Sequence, residues 1–202
     1  MTETSASPTE LPPAGEREHI HTRSMVTRGY LRKDGLWDLE AEIHDSKTYG
    51  TRNGDGRVTA PGDGVHHMKV RLTLDESLKV VGAVSAMPGT PFPECRAAND
   101  PVGGLVGATV GRGWRKAIDD AMGGVRGCTH LREMIASMAT VAFQTIPNYR
   151  VHQRRMSGEP QLPGLRGHQM GQCLGWDTDG AVVARIAPEF IGHRPPPRNA
   201  GS

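Results

Sequence analysis

GLWDLEAEIHD, residues 35–45, alternates without a break: Trp37, Leu39, Ala41 and Ile43 fall on one side, Asp38, Glu40, Glu42 and His44 on the other. Successive side chains of a strand point to opposite faces, so this stretch predicts a strand half buried against a core. The pattern returns in VHHMKVRLTL, residues 65–74. Here His66, Met68, Val70, Leu72 and Leu74 share the apolar face, while His67, Lys69, Arg71 and Thr73 look outward. An Asp75-Glu-Ser77 turn leads into LKVVGAVSAM, residues 78–87, which predicts an antiparallel hairpin with the Trp37 strand beside it. Three strands of this kind form a meander with one apolar face to be covered.

Helices further along supply the cover. Leu131, Ile135, Met138, Ala142 and Ile146 recur at three or four residues, which predicts a helix from Thr129 to Ile146, closed by Pro147. A shorter helix is expected over residues 113–122, ending at Gly123-Gly124. Asn99 or Asp100 before Pro101 caps a weak helix interrupted by Gly103, Gly104 and Gly107. Between sheet and helices, Pro88, Pro91 and Pro93 turn the chain out of the third strand toward Glu94 and Cys95. The segment after Pro147 reads as a Pro/Gly-rich linker over residues 149–167. Cys173 to Trp176, an Asp177-Thr-Asp-Gly180 turn and Ala181 to Ile186 read as a final hairpin. Strands followed by helices define an α+β chain.

The expected organisation is a disordered tail over residues 1–22, an α+β core domain over 23–148, a linker and C-terminal hairpin packing on the core over 149–192, and a tail over 193–202. The 202 residues are 36% hydrophobic, and 26 glycines and 15 prolines make up about a fifth of the chain. Pro101 to Gly111, an apolar run without a charge, is too short and too glycine-rich to span a bilayer, and residues 1–18 carry no apolar stretch of the secretory kind. A cytoplasmic protein with no membrane association is therefore expected. Twenty-four basic residues against 22 acidic ones, with few aromatics and no basic block, give no nucleic-acid footprint.

Chemistry must then come from local groups. Cys128, in Gly127-Cys-Thr-His130, stands at the head of the strongest helix, where free amides and the helix dipole favour thiolate. Cys95 follows the proline elbow, and His66 lies on the apolar face of its strand. Two thiolates and one or two imidazoles suit zinc or iron, so Cys95, Cys128, His130 and His66 are candidate ligands if the fold brings them to one end, with Cys173 available should the hairpin pack over them. Buried singly, the same groups are ordinary core residues. Asp45 and Lys47 read as an exposed ion pair in a turn, and Asp119-Asp120 as a solvated helix face. Neither Gly111-x-Gly113 nor Gly123-Gly124 has the strand-turn-helix setting of a phosphate loop.

The motifs Arg28-Gly-Tyr, Asp34-Gly-Leu-Trp-Asp-Leu-Glu40, His44-Asp-x-Lys47, Pro93-x-Cys95, Gly113-Trp-Arg115 and Gly127-Cys-Thr-His-Leu131 resemble a bacterial family known only as a domain of unknown function, over about residues 25–190. The order of elements is also similar to the NifU-type iron-sulfur scaffolds. That likeness sets their second and third cysteines on Cys95 and Cys128, with Gly64 at the first position and His66 near the place of an acidic residue. It implies a NifU-like fold and a fixed metal site, or an emptied one. The expectation is a small metal-binding protein holding zinc or iron: an open coordination position would let the ion act on a small-molecule substrate, and a filled shell would make it structural. The alternatives are a metal-free binding or accessory module, with a ligand or protein partner seated near residues 156–167, and a cysteine-dependent enzyme using Cys128 and His130.

Overall fold

The computed structural model describes residues 11–52, 56–160 and 169–194. In chain order these form β1 (His21–Leu31), β2 (Trp37–Lys47), β3 (Thr51–Arg52), β4 (Val58–Thr59), β5 (Gly64–Leu74) and β6 (Val80–Gly89), then α1 (Trp114–Met122), α2 (Thr129–Ser157) and α3 (Ala181–Ile186). β1, β2, β5 and β6 make one antiparallel sheet in that order, and β3 pairs with β4 in a small ribbon inserted between β2 and β5.

The alternation seen in the sequence is the burial pattern of the sheet. Trp37, Leu39, Ala41 and Ile43 of β2 and Met68, Val70, Leu72 and Leu74 of β5 are buried on one face. Leu131, Met134, Ile135, Met138, Ala142 and Ile146 of α2 close over them. The indole N–H of buried Trp114 donates to the Ile135 carbonyl at 3.1 Å, which ties α1 to α2 without stranding a polar atom. Removing a side chain such as Leu39 or Leu131 from water stabilises the fold by about 1.5–3 kcal/mol each, and together these residues place α2 across β1 and β2.

Three expectations are corrected. The sheet has four strands instead of a three-stranded meander, because β1 lies at its edge with nearly every side chain exposed and so shows no apolar period. It is held by backbone pairing along its whole length, from His21 opposite Lys47 to Leu31 opposite Trp37. It is also held by the close passage of α2. A Cβ at Gly29 would stand 2.5 Å from Thr145 Cγ2, so glycine is what lets the helix approach.

α2 does not stop at Pro147, and residues 149–157 belong to it instead of to a linker. Proline removes one intrahelical hydrogen bond. Here tertiary contacts keep the next turns in place: Pro147 is buried, the Tyr149 ring meets Trp37 edge-on at 5.7 Å, and Arg150 pairs with Glu76 at 3.1 Å. The helix ends where Gly158 takes φ +72°, a left-handed cap that glycine adopts without strain.

The C-terminal hairpin is instead a 3-10 turn at Leu174–Trp176 followed by α3. The two valines of AVVARI suggested a strand, yet Val183 and Ala187, four residues apart, are buried together with Met170, the spacing of a helix face. The weak helix expected near Pro101 is one 3-10 run, Pro93–Leu105, burying Val102 and Leu105 at its three-residue spacing. Of the tails and the stretch near residues 156–167, residues 1–10, 161–168 and 195–202 lie outside the described residues. No helix among the described residues is long and apolar enough to cross a membrane.

Candidate functional site

The inward face of β2 continues past Ile43 to Asp45, so the residue that ends the apolar stripe is a carboxylate with 2% of its surface exposed. A buried carboxylate must find partners, and the register supplies them. Across β1 and β2, Arg23 stands opposite Asp45; across β2 and β5, His66 does. Arg23 donates from Nε to Oδ1 at 2.7 Å and from Nη2 to Oδ2 at 2.8 Å, a two-point fork of the strong kind. His66 Nδ1 lies 3.0 Å from Oδ2. At the Oδ1 side, His21 Nε2 stands 3.6 Å away.

The opposite wall comes from the first turn of α2. Its N-cap residue is Cys128, and the His130 ring, inside the helix, reaches over the sheet to stack on His66 with centroids 4.0 Å apart. His130 Nε2 lies 3.9 Å from Asp45 Oδ2, and its Nδ1 lies 3.7 Å from Cys128 Sγ. The same sulfur is 3.9 Å from Met68 Sδ. One turn on, Glu133 accepts from Arg23 Nη1 at 3.2 Å, so a single guanidinium ties β1 to β2 and to α2.

Burial opposes the charge of Asp45, but the hydrogen bonds and charge of Arg23, with the two imidazoles, hold its carboxyl below the usual range. Burial pushes His66 down from the ordinary histidine value, helped by the facing His130 and opposed by Asp45. His130 is likewise lowered, first by burial and then by Arg23, again against the pull of Asp45. Both rings are thus driven toward the neutral form, the form with a lone pair to give.

One oxygen of Asp45 and one nitrogen each of His66 and His130 lie within 4.8 Å of one another, the one such group among the described residues that could hold a metal ion. Bonds of 2.0–2.1 Å meeting near the tetrahedral angle separate donor atoms by about 3.4 Å. The separations of 3.0 and 3.9 Å bracket that value.

Of the sequence candidates, His66 and His130 are brought together, and Cys128 touches His130 on the nitrogen turned away from Asp45. Cys95 is partly buried against the core on the 3-10 run, and Cys173 is exposed; neither belongs to the group. Asp45 was legible as the next inward position of the alternation. Its reading as an exposed partner of Lys47 is corrected: Asp45 is buried on Arg23, and Lys47 donates to the Tyr49 hydroxyl at 3.0 Å. Asp119 and Asp120 do form a solvated face, paired with Arg132 and Lys116. His67 turns to the other side of the sheet, 2.6 Å from Glu42.

Fold and site together define an α+β protein whose four-stranded antiparallel sheet ends in a buried carboxylate lined by imidazoles. A family profile described as "Protein of unknown function (DUF2889)" matches residues 21–144, from the first residue of β1 into α2, and the chain belongs to that family. No curated protein and no solved structure matches it.

Proposed function

We propose that this chain is a cytoplasmic metal-binding protein that holds one zinc or iron ion with Asp45, His66 and His130. The observation that carries the proposal is the convergence of one carboxylate and two imidazoles, from β2, β5 and α2, within the span of a single coordination shell. Two histidines and a carboxylate are a donor set that zinc and ferrous iron both take, leaving room for water or a small-molecule substrate. The side chains of His66 and His130 are 19% and 24% exposed, so the group opens to solvent on the imidazole side. Such an ion supplies Lewis acidity and activates bound water.

The protein's own residues have distinct tasks. Asp45 contributes charge, and Arg23 fixes its plane. Cys128, on Nδ1 of His130, sets that ring's tautomer and orientation, the role an outer partner plays for a metal-bound imidazole. The NifU-type likeness implied cysteine ligands, Cys95 and Cys128. The ligand set differs, being carboxylate and imidazole in place of cysteines.

Elemental analysis of untagged protein, then zinc titration after chelation, tests the proposal. About one ion per chain is expected, with affinity lost in His66→Ala and His130→Ala but retained in Cys173→Ala. Equal binding by all of them would discard it.

A second reading rests on the line Cys128 Sγ, His130, Asp45, with 3.7 Å and 3.9 Å between successive members. That is the order of a cysteine nucleophile, its base and the group orienting the base. It requires rapid alkylation of Cys128 by iodoacetamide near neutral pH, slowed in His130→Ala. The metal reading instead requires slow alkylation of Cys128, at the rate of an ordinary thiol.

A further inference from the structure

Both oxygens of Asp45 are already engaged. Arg23 reaches Oδ1 through Nε at 2.7 Å and Oδ2 through Nη2 at 2.8 Å, while its remaining nitrogen, Nη1, holds Glu133 at 3.2 Å. Oδ2 is the oxygen that also meets the two rings of the group, at 3.0 Å for His66 and 3.9 Å for His130. Oδ1 lies on the side of a third imidazole, 3.6 Å from His21 Nε2. A carboxylate gripped at two points by a planar fork cannot swing in its plane to offer both oxygens to one ion.

We propose that Arg23 is the positioning residue of the metal centre: its fork restricts Asp45 to a single ligand oxygen, which keeps the centre low-coordinate with a place left for an exogenous ligand. The inference rests on the metal-binding reading above and adds to it the geometry of the centre. The fork is the operative feature, and the charge by itself is insufficient. Lysine, a point charge on a flexible stem, has the charge of arginine without its two parallel donors. The contact to Glu133 is secondary, since it ties the guanidinium to α2 without touching the ligand oxygen.

Cobalt(II) provides the readout, because its visible absorption is intense in four-coordinate sites and weak at higher coordination. Full-length wild type, Arg23→Lys, Arg23→Gln and Glu133→Gln, each checked for wild-type circular dichroism, are titrated with cobalt(II), and zinc affinity is measured by competition with a chelator. Expected are an intense spectrum for wild type and Glu133→Gln, with Glu133→Gln losing less than tenfold in zinc affinity. Arg23→Lys and Arg23→Gln are expected to give weaker bands, as Asp45 becomes free to chelate with both oxygens. Both should also lose about 10- to 100-fold in zinc affinity, the usual cost of removing an outer partner.

Wild-type affinity and spectrum in Arg23→Lys overturn the proposal, as does a loss in Glu133→Gln equal to that in Arg23→Lys. If wild type takes up neither cobalt nor zinc, the metal-binding reading itself fails; if it does and the Arg23 variants match it, only the positioning role fails. Should Arg23→Lys not fold, Arg23→Gln decides on the same two measurements.

Discussion

The imidazole rings of His66 and His130 lie 4.0 Å apart and inclined by 35°, one carried by β5 and the other by the first turn of α2. Two rings so close cannot both carry a proton cheaply, and a guanidinium stands beside them. Among the described residues the anions facing them are Asp45, which that guanidinium already pairs, and Glu133, which it also binds.

This pairing makes stability depend on acidity. Both histidines are lowered in the folded chain, so between their folded values and the ordinary value near 6.5 the unfolded chain binds more protons. Stability is then complete above about pH 7 and falls as the pH is lowered through that window. Asp45, lowered below its ordinary value, contributes stability above about pH 4 that disappears on further acidification. In chelator-treated protein the melting temperature is expected to decline from pH 7 to pH 5, and His130→Gln should flatten that slope. An equally steep slope in the variant sinks the assignment.

Ligand binding to the folded chain alone raises its stability. At zinc a hundredfold above the dissociation constant the gain is about 2.7 kcal/mol, roughly 5–10 °C in melting temperature for a chain of this size. Scanning calorimetry should show that rise in wild type and its loss in His66→Ala. Asp45→Asn should lose it too, and should be less stable without zinc, because the Arg23 fork then has no anion.

The crossing of α2 over β1 can be probed away from the site. A methyl at Gly29 meets Thr145 Cγ2 at 2.5 Å and Oγ1 at 2.7 Å. Gly29→Ala is expected to cost about 1–3 kcal/mol, the usual range for overpacking. Thr145→Ala removes both atoms, so denaturant titrations of the double variant should show part of the loss recovered, a coupling that independent sites would not produce.

Leu39 has no exposed surface and is the third residue of β2, a strand paired on both sides. Leu39→Ala is expected to cost about 2–5 kcal/mol by urea denaturation. Val84→Ala, on an exposed position of β6, should stay within about 0.5 kcal/mol of wild type. Similar losses at the two positions would contradict the assignment of the sheet's buried face.

The period of two in residues 35–45 and 65–74 and the period near 3.6 in residues 129–146 determined, unaided, that this is an α+β chain, which strand faces are buried, and that His66 points inward. These are local properties, written in the spacing of apolar side chains along one element. β1 carries no such spacing, because an edge strand is held by its backbone, and the continuation of α2 past Pro147 rests on Trp37 and Glu76, more than 70 residues away in the chain. The site divides in the same way. His66, Cys128 and His130 could be singled out by type and place, but which of them meet, and that Arg23 and Asp45 join them while Cys95 and Cys173 stay outside the group, follows from strand register and from the landing point of α2 on the sheet. Register and helix docking depend on pairs distant in sequence, so only the folded chain decides them.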